Sequence, residues 1–268
     1  MHRSASMSNV LTIEAASLAI KHRRGYRVDT DGLIPCDPER LRSVSTEPLV
    51  GIDGYPRGWV AVTRAATTFS WNTAVLADIG TLLPASAIVA IDMPIGLLSE
   101  GERDCDVLAR TELPGATARV FMTPPRRVLE LGLTAPNDEV QRLSVELMGK
   151  GVSRQALGLA TRVLALDAFL DGARGRTVVE AHPEISFARM GSGRPLASKK
   201  TAAGVGQRIG VLRTWLPHVD AVLAEAPADV PVDDALDALA CLWTAERWRS
   251  GTATTLPPGA RRPPFVAV

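Results

Sequence analysis

Aspartates stand where apolar segments of this chain end, and their spacing suggests that they share one place in the fold. Asp53 and Asp92 each follow directly on an apolar run, and Asp234 and Asp237 lie within 233–240, at the start of a helix with an apolar face. Clustered carboxylates repel one another, and a divalent cation relieves that repulsion. The pattern predicts a Mg²⁺ or Mn²⁺ site, and the chemistry best suited to such a site is phosphoryl transfer.

Each of these aspartates also has an ordinary structural explanation. Asp53 and Asp92 stand at strand–turn junctions, where Asp often hydrogen-bonds its own backbone. Asp233 is expected to cap the last helix, and acids in a first helical turn complement the helix dipole. Asp237, however, lies close to the buried stripe of that helix, where an unpaired carboxylate is costly. The joint occurrence of these acids favours the metal site.

A second group of candidates lies at the end of the predicted strand 177–181. Glu180 would be a further metal ligand or would orient one. His182 could transfer protons, because the pKa of histidine suits neutral pH. The alternative for His182 is a capping contact with the local backbone before Pro183. Glu184 is a weaker candidate in the same segment.

Two groups of basic residues could hold the phosphates of a nucleic acid. Lys199 and Lys200 precede a predicted helix, and Arg119, Arg126 and Arg127 flank a proline-stiffened loop. Lysine and arginine side chains in such positions grip a phosphate backbone without reading its sequence. The alternative for both groups is an ordinary solvated surface.

The candidate residues need a scaffold that brings distant segments together. Apolar runs and turn residues predict strands at 49–53, 59–63, 67–73, 88–92 and 177–181. Helical periodicity predicts helices at 78–83, across much of 99–172, at 201–216 and at 231–249. The first three strands form an antiparallel meander, and the helical crossover makes the fourth strand parallel to a neighbour.

This order of elements predicts an α/β protein with a ribonuclease H-like fold. Its sheet would have five strands, three antiparallel and then two parallel, flanked by helices and interrupted by a helical insert at about 99–172. In that fold the first and fourth strands lie side by side, so Asp53 and Asp92 become neighbours. A helix packed on the sheet would bring the third acid alongside.

Residues 1–48 differ from the rest and are predicted to be a poorly ordered extension of a domain spanning 49–268. A short helix is expected at 11–20, followed by the basic run 21–24. The alternatives are a start codon assigned too far upstream, or a basic arm that grips nucleic acid.

Composition limits the class of protein. A content of 46 % hydrophobic and 22 % charged residues is ordinary for a soluble globular chain. The net charge of +1 provides no global attraction to polyanions, so any such binding must be local. Three separated cysteines suggest neither zinc nor disulfides and favour the cytoplasm. No apolar stretch is long enough to span a membrane, and no leader segment is evident.

Several motifs together resemble a known family. The chain from Val50 to about Pro257 resembles the DUF429 family, and the resemblance implies a ribonuclease H-like fold and nuclease activity. The matching segments are 51–54 with 58–59, 91–97, 103–106 with Arg110, 120–121 with 124–125, 180–187, 198–201 and 233–240. One departure is Ala165, which stands two residues before Asp167 where the family often carries Glu.

The segment 233–240 is also similar to the last helix of Holliday-junction resolvases, in which an Asp, two residues and Asp-Ala-Leu-Ala close the metal site. This likeness implies that Asp234 and Asp237 are ligands, with Asp53 and Asp92 as the strand-tip acids. The leading hypothesis is therefore a nuclease that hydrolyses DNA or RNA with two Mg²⁺ or Mn²⁺ ions, about 4 Å apart and bridged by Asp53.

Two alternatives belong to other classes of protein. The domain could bind nucleic acid or a nucleotide without cutting it, as an adaptor, because one fold hosts many functions. A nucleotide-dependent phosphotransferase is disfavoured, because the sequence shows no glycine-rich phosphate loop. Zinc-protease and serine-hydrolase motifs are likewise not found in the sequence.

Overall fold

The computed structural model describes residues 10–12, 26–29, 32–35, 47–173 and 176–268. The described strands are β1 (Val10–Thr12), β2 (Tyr26–Asp29), β3 (Gly32–Pro35), β4 (Leu49–Tyr55), β5 (Gly58–Ala65), β6 (Thr68–Ala74), β7 (Ile88–Ile91), β8 (Thr177–Ala181), β9 (Thr255–Leu256) and β10 (Val266–Ala267). The described α-helices are α1 (Asp104–Thr111), α2 (Arg126–Gly132), α3 (Asn137–Met148), α4 (Arg154–Gly158), α5 (Ala160–Gly172), α6 (Pro183–Met190), α7 (Ala202–Trp215), α8 (Val219–Ala224) and α9 (Val232–Ser250). Two 3₁₀ segments span Leu76–Leu82 and Thr117–Arg119.

One mixed sheet organises the molecule, with its strands in the order β1-β6-β5-β4-β7-β8-β10-β9. Strand β4 pairs antiparallel with β5 and parallel with β7, and β7 pairs parallel with β8. The predicted α/β class is confirmed. The predicted count of five strands is wrong, because β1, β9 and β10 also belong to this sheet. Strands β9 and β10 come from the tail, where a two-residue strand leaves no periodic pattern in the sequence.

The predicted helices are present with small differences. The insert between β7 and β8 contains α1 to α5, and α7 and α9 begin and end within a residue of their predicted bounds. The predicted helix 78–83 is instead the 3₁₀ segment Leu76–Leu82. Helix α9 is capped by Pro231 without a side-chain hydrogen bond, so Asp233 is a first-turn residue and not the expected cap. No helix among the described residues has the length and apolar character to cross a membrane.

Little of the N-terminal segment falls within the described residues. Leu11 and Thr12 lie in β1, which pairs antiparallel with β6, so the start of the predicted helix 11–20 is a strand. The remainder of that predicted helix and the basic run 21–24 lie outside the described residues. Strands β2 and β3 pair with each other as a separate hairpin. Cys105 and Cys241 are free and buried, and Cys36 lies outside the described part.

The sheet is covered on both faces, as the near-continuous apolar character of its central strands requires. Helices α6 to α9 pack on one face around Leu236 and Leu239. Helix α5 and the 3₁₀ segment Leu76–Leu82 pack on the other face, around Ile52 and Leu166. Successive residues of β4 therefore alternate between two apolar layers, and Leu49 and Val50 belong to different ones.

Helix α9 lies directly on β4 because residue 51 is a glycine. A Cβ atom at Gly51 would lie 2.1 Å from the carbonyl oxygen of Ala238 and 2.2 Å from the backbone nitrogen of Leu242. Side chains two residues apart on a strand share a face, so Asp53 projects toward the same side as this contact. The close approach sets how far the acids of α9 lie from the tip of β4.

Candidate functional site

The tips of β4 and β7 lie level with each other. Ile52 pairs with Ile91 in the parallel register, so the next residues, Asp53 and Asp92, occupy equivalent positions. The backbone N–H of Asp92 donates to the carbonyl oxygen of Ile52 at 3.0 Å and extends the pairing by one step. The carboxyl ends of parallel neighbours meet at one edge of a sheet, as expected for these two acids.

Helix α9 adds a third carboxylate. One oxygen from each of Asp53, Asp92 and Asp237 lies within 4.8 Å of the other two. Asp53 and Asp237 are buried, with 6 % and 2 % of their surface exposed. We call these three residues the carboxylate triad. Asp234 lies outside this group and is half-buried one turn earlier on the helix.

Burial and mutual repulsion make the triad costly in its ionised form. Burial, followed by the charges of Asp92 and Asp237, holds the pKa of Asp53 well above its usual range. Burial raises the pKa of Asp92 to about 7 and that of Asp237 to about 6, although Lys199 opposes both shifts. These directions are those expected when like charges share a site that excludes water.

The two lysines predicted to hold phosphates contact the acids of α9 instead. The Lys199 ammonium forms an ion pair with Oδ2 of Asp237 and lies 4.0 Å from Oδ2 of Asp233. Lys200 pairs with Asp233 and keeps most of its side chain exposed. The other carboxylate oxygen of Asp237, Oδ1, is buried and has no hydrogen-bond partner among the described residues. That atom has the burial and chemistry of a ligand to a cation.

Glu180 does not join the triad. Its Oε2 atom accepts a hydrogen bond from the backbone N–H of Ile95 at 2.8 Å and pairs with Arg103. Arg103 is almost fully buried and also lies 3.6 Å from Asp106, so its charge links the first turn of α1 to the end of β8. Arg110, in the last turn of α1, donates to the carbonyl oxygen of Val120 at 3.0 Å.

Glu184 is held by two arginines. Arg119, predicted to grip a phosphate backbone, pairs with Glu184, and so does the fully buried Arg208 of α7. The guanidinium of Arg208 lies 5.2 Å above the ring of Phe187. Arg208 was not among the residues predicted from the sequence. It lies one helical turn before Leu212 on the buried stripe of α7. An arginine within an otherwise apolar stripe is the sequence signal that could have identified it.

The two arginines at the start of α2 differ in their surroundings. Arg126 forms an ion pair with Asp167 of α5. Arg127 is exposed and forms no ion pair with another described residue. Of the three arginines expected to rim the site, Arg127 is therefore the one whose charge is not taken up by a carboxylate in the described structure.

A small cavity is shared by His182 and one member of the triad, Asp92. It has a volume of about 20 Å³, room for roughly one water molecule, and its lining includes Asp92, Phe121, Thr123, Glu180 and His182. The Nδ1 atom of His182 is buried without a hydrogen-bond partner among the described residues. Burial lowers the pKa of His182 below its usual value, so its imidazole is neutral at pH 7 and can accept a proton.

The donor set suits a hard divalent cation. The triad offers three carboxylate oxygens, the atoms that Mg²⁺ and Mn²⁺ prefer. A cation there would neutralise the repulsion that raises the pKa of Asp53 and would give the unpartnered Oδ1 of Asp237 a partner. The residues present therefore fit a metal ion.

The chain belongs to the DUF429 family, described as a protein of unknown function. The match to the family covers residues 51–262, which include the triad and nearly all of the sheet and its helices. Comparisons with curated proteins and with solved structures gave no match. The family description assigns no chemistry to the site.

Proposed function

We propose that the protein is a hydrolase that cleaves phosphodiester bonds of nucleic acid with the help of Mg²⁺ or Mn²⁺. The observation that carries this proposal is the convergence of one carboxylate oxygen each from β4, β7 and α9 within 4.8 Å. Three distant segments of the chain are brought together at an electrostatic cost that a bound cation would relieve. Function selects such costly groupings, whereas stability alone does not.

The proposal includes a ribonuclease H-like fold. The arrangement of the central strands supports this assignment. Strands β6, β5 and β4 are antiparallel, and β7 and β8 then continue the sheet in parallel. Helix α9 crosses the strand that carries the first acid. The sequence predicted this order of strands, and a helix packed on the sheet, for a ribonuclease H-like fold.

In this proposal Asp53, Asp92 and Asp237 hold the metal, and Asp234 lies at the outer edge of the site. A bound Mg²⁺ or Mn²⁺ supplies Lewis acidity toward a phosphoryl oxygen and lowers the pKa of bound water.

His182 and the basic side chains of Lys200 and Arg127 have roles beside the metal. His182 is neutral and shares a cavity with Asp92, so it can accept a proton from a water molecule held there. The ion pair with Arg103 holds Glu180 in place in the wall of that cavity. Lys200 and Arg127 have exposed charges that can contact phosphates, and this contact has to be local because the whole chain carries only +1.

The test of this proposal is the variant Asp53→Asn, assayed for Mn²⁺-dependent cleavage of single- and double-stranded DNA and RNA. The amide is a poor ligand for a hard cation, so we expect the rate to fall by more than about 100-fold. Asp78→Asn, an exposed change on the 3₁₀ segment, is the matched control and should cleave at the wild-type rate. Undiminished cleavage by Asp53→Asn would refute the proposal.

One observation favours a second candidate, a nucleic-acid or nucleotide-binding adaptor that does not cleave. Lys199 and Lys200 already neutralise part of the acidic charge on α9, as they would in a protein that binds no metal. Calorimetric titration with Mn²⁺ separates the two candidates. The hydrolase must bind the ion, and the heat of Mn²⁺ binding must disappear in Asp53→Asn. An adaptor with an internally neutralised site gives no heat of Mn²⁺ binding.

A further inference from the structure

We propose that the site binds one divalent cation, and that the ammonium group of Lys199 takes the place of a second. This inference rests on the metal site proposed above and specifies its composition. It differs from the pair of ions expected from the sequence. Lys199 is in this view a positioning residue, because it acts on the carboxylates that hold the cation.

The contacts of Lys199 place its charge inside the acidic group. Its Nζ atom pairs with Oδ2 of Asp237 and lies 4.0 Å from Oδ2 of Asp233. Its charge also acts on Asp53 and Asp92, the other two members of the triad. A second divalent cation among these acids would have to approach the ammonium closely, and the repulsion between the two charges would be strong in a site with little water.

The two oxygens of Asp237 divide between two partners. Oδ2 is held by Lys199, and Oδ1 is buried without a hydrogen-bond partner among the described residues. The residue itself is only 2 % exposed, so bulk water does not satisfy Oδ1. The free oxygen marks the position of one cation, and the occupied oxygen is the one that a second cation would need.

The balance of charge leads to the same count. The triad carries three negative charges when ionised, and Lys199 offsets one of them. Within the triad, the two that remain equal the charge of a single Mg²⁺ or Mn²⁺ ion, and Asp234 is half-buried outside the triad, where water screens part of its charge. Asp233 pairs with Lys200 and so adds no net charge. A second dication would leave the buried group positive, and a buried net charge is costly in either sign.

The backbone around Lys199 is tightly packed. Thr201 caps α7, with its hydroxyl oxygen accepting from the backbone N–H of Gly204 at 3.1 Å. A Cβ atom at Gly204 would lie 2.0 Å from the carbonyl oxygen of Ser198, so the segment before the helix packs directly on its first turn. The buried Arg208 donates to the carbonyl oxygen of Ala197 at 2.8 Å. Lys199 thus projects from a fixed turn.

The experiment counts Mn²⁺ ions per full-length chain by calorimetry and by electron paramagnetic resonance. The wild type should bind one ion with the spectrum of an isolated Mn²⁺. Lys199→Met removes the competing charge and should bind two, and a pair about 4 Å apart gives a broadened, spin-coupled spectrum. Lys199→Arg keeps the charge and should bind one. Lys200→Met removes a lysine that pairs with Asp233 and with no member of the triad, so it is the matched control and should also bind one.

The outcomes separate this inference from the proposed function. Two ions in the wild type would overturn the inference and leave the metal site standing. A single ion in Lys199→Met would show that Lys199 does not keep a second ion out, which also overturns it. No binding by the wild type would overturn both proposals. The wild-type count decides the matter even if Lys199→Met does not fold.

Discussion

The pKa of Asp53 is raised, first of all by burial, which implies that its ionised carboxylate costs the metal-free fold stability. Its carboxylate is buried beside Asp92 and Asp237, and the hydrogen bond that it receives is from the backbone N–H of the next residue, Gly54, at 2.7 Å. An aspartate that served only as a turn former would keep this bond without needing two acidic neighbours. The burial and the neighbours are what a metal ligand requires.

The first prediction follows from this cost. Asp53→Asn keeps an oxygen to accept from Gly54 and removes the charge, so in EDTA we expect the free energy of unfolding to rise by about 1–2 kcal/mol. The wild type should be stabilised by Mn²⁺, and the variant should not be. Urea unfolding of both proteins, with EDTA and with Mn²⁺, measures the two effects.

The control for this prediction is Asp78→Asn, whose side chain is exposed. It should leave the stability in EDTA unchanged and keep the stabilisation by Mn²⁺. If Asp53→Asn were less stable than the wild type in EDTA, the Asp53 carboxylate would be a stabilising group of the metal-free protein, contrary to the argument from repulsion.

At the scale of elements, the packing of α9 on β4 assembles the site. The helix comes close enough for its backbone to touch the strand at Gly51, two residues before Asp53. Asp237 lies one residue before Ala238, whose carbonyl oxygen makes this contact. The distance between the strand and the helix therefore sets the distance between the carboxylates.

The second prediction concerns Gly51→Ala. Its Cβ would overlap backbone atoms of α9, which cannot rotate away, so the helix must move outward. We expect the free energy of unfolding to fall by about 3 kcal/mol and the affinity for Mn²⁺ to fall at least about 10-fold. Urea unfolding and calorimetry measure the two losses.

The matched control is Gly210→Ala in the exposed part of α7, where a Cβ meets nothing within 4 Å. It should raise the free energy of unfolding by about 0.5–1 kcal/mol, because alanine favours a helix interior over glycine. Affinity for Mn²⁺ should be unchanged. Wild-type binding of Mn²⁺ by Gly51→Ala would show that the spacing of α9 and β4 does not control the site.

At the scale of the whole molecule, the acidic group couples folding to pH. The pKa of Asp92 is raised to about 7 and those of Asp234 and Asp237 to about 6, first of all by burial in each case. Aspartate in an unfolded chain has a pKa near 3.9. Between about pH 4 and 7 these acids therefore hold more protons in the folded, metal-free protein than in the unfolded chain, and their contribution makes its stability fall as the pH rises.

The third prediction uses this linkage. In EDTA, the melting temperature should decrease from pH 5 to pH 7.5, and in Asp53→Asn the decrease should be smaller. The affinity for Mn²⁺ should increase over the same range, because the ion must displace protons from the triad. Calorimetry in buffers of different ionisation enthalpy counts the protons released. An affinity that does not change with pH would contradict the raised pKa values.

Much of the fold follows from local pattern. The apolar run before Asp53 and the one before Asp92 predict strands, and the helical connection between them requires those strands to be parallel where they pair. The periodic stripe of α9, with Leu236 and Leu239, predicts its length and buried face. Strands β9 and β10 were missed, because a strand of two residues is too short to show an alternation.

Local sequence pattern likewise accounts for one part of the candidate site, and tertiary packing accounts for the other. The sequence by itself determined which acids end the strands and begin α9, since each lies at the boundary of a run whose pattern is local. Only the tertiary structure decided that Asp237 joins Asp53 and Asp92 while Asp234 remains outside, that Lys199 holds one oxygen of Asp237, and that Arg103 takes Glu180. These contacts depend on the spacing and rotation of packed elements, which long-range packing sets and a local pattern of residues does not contain.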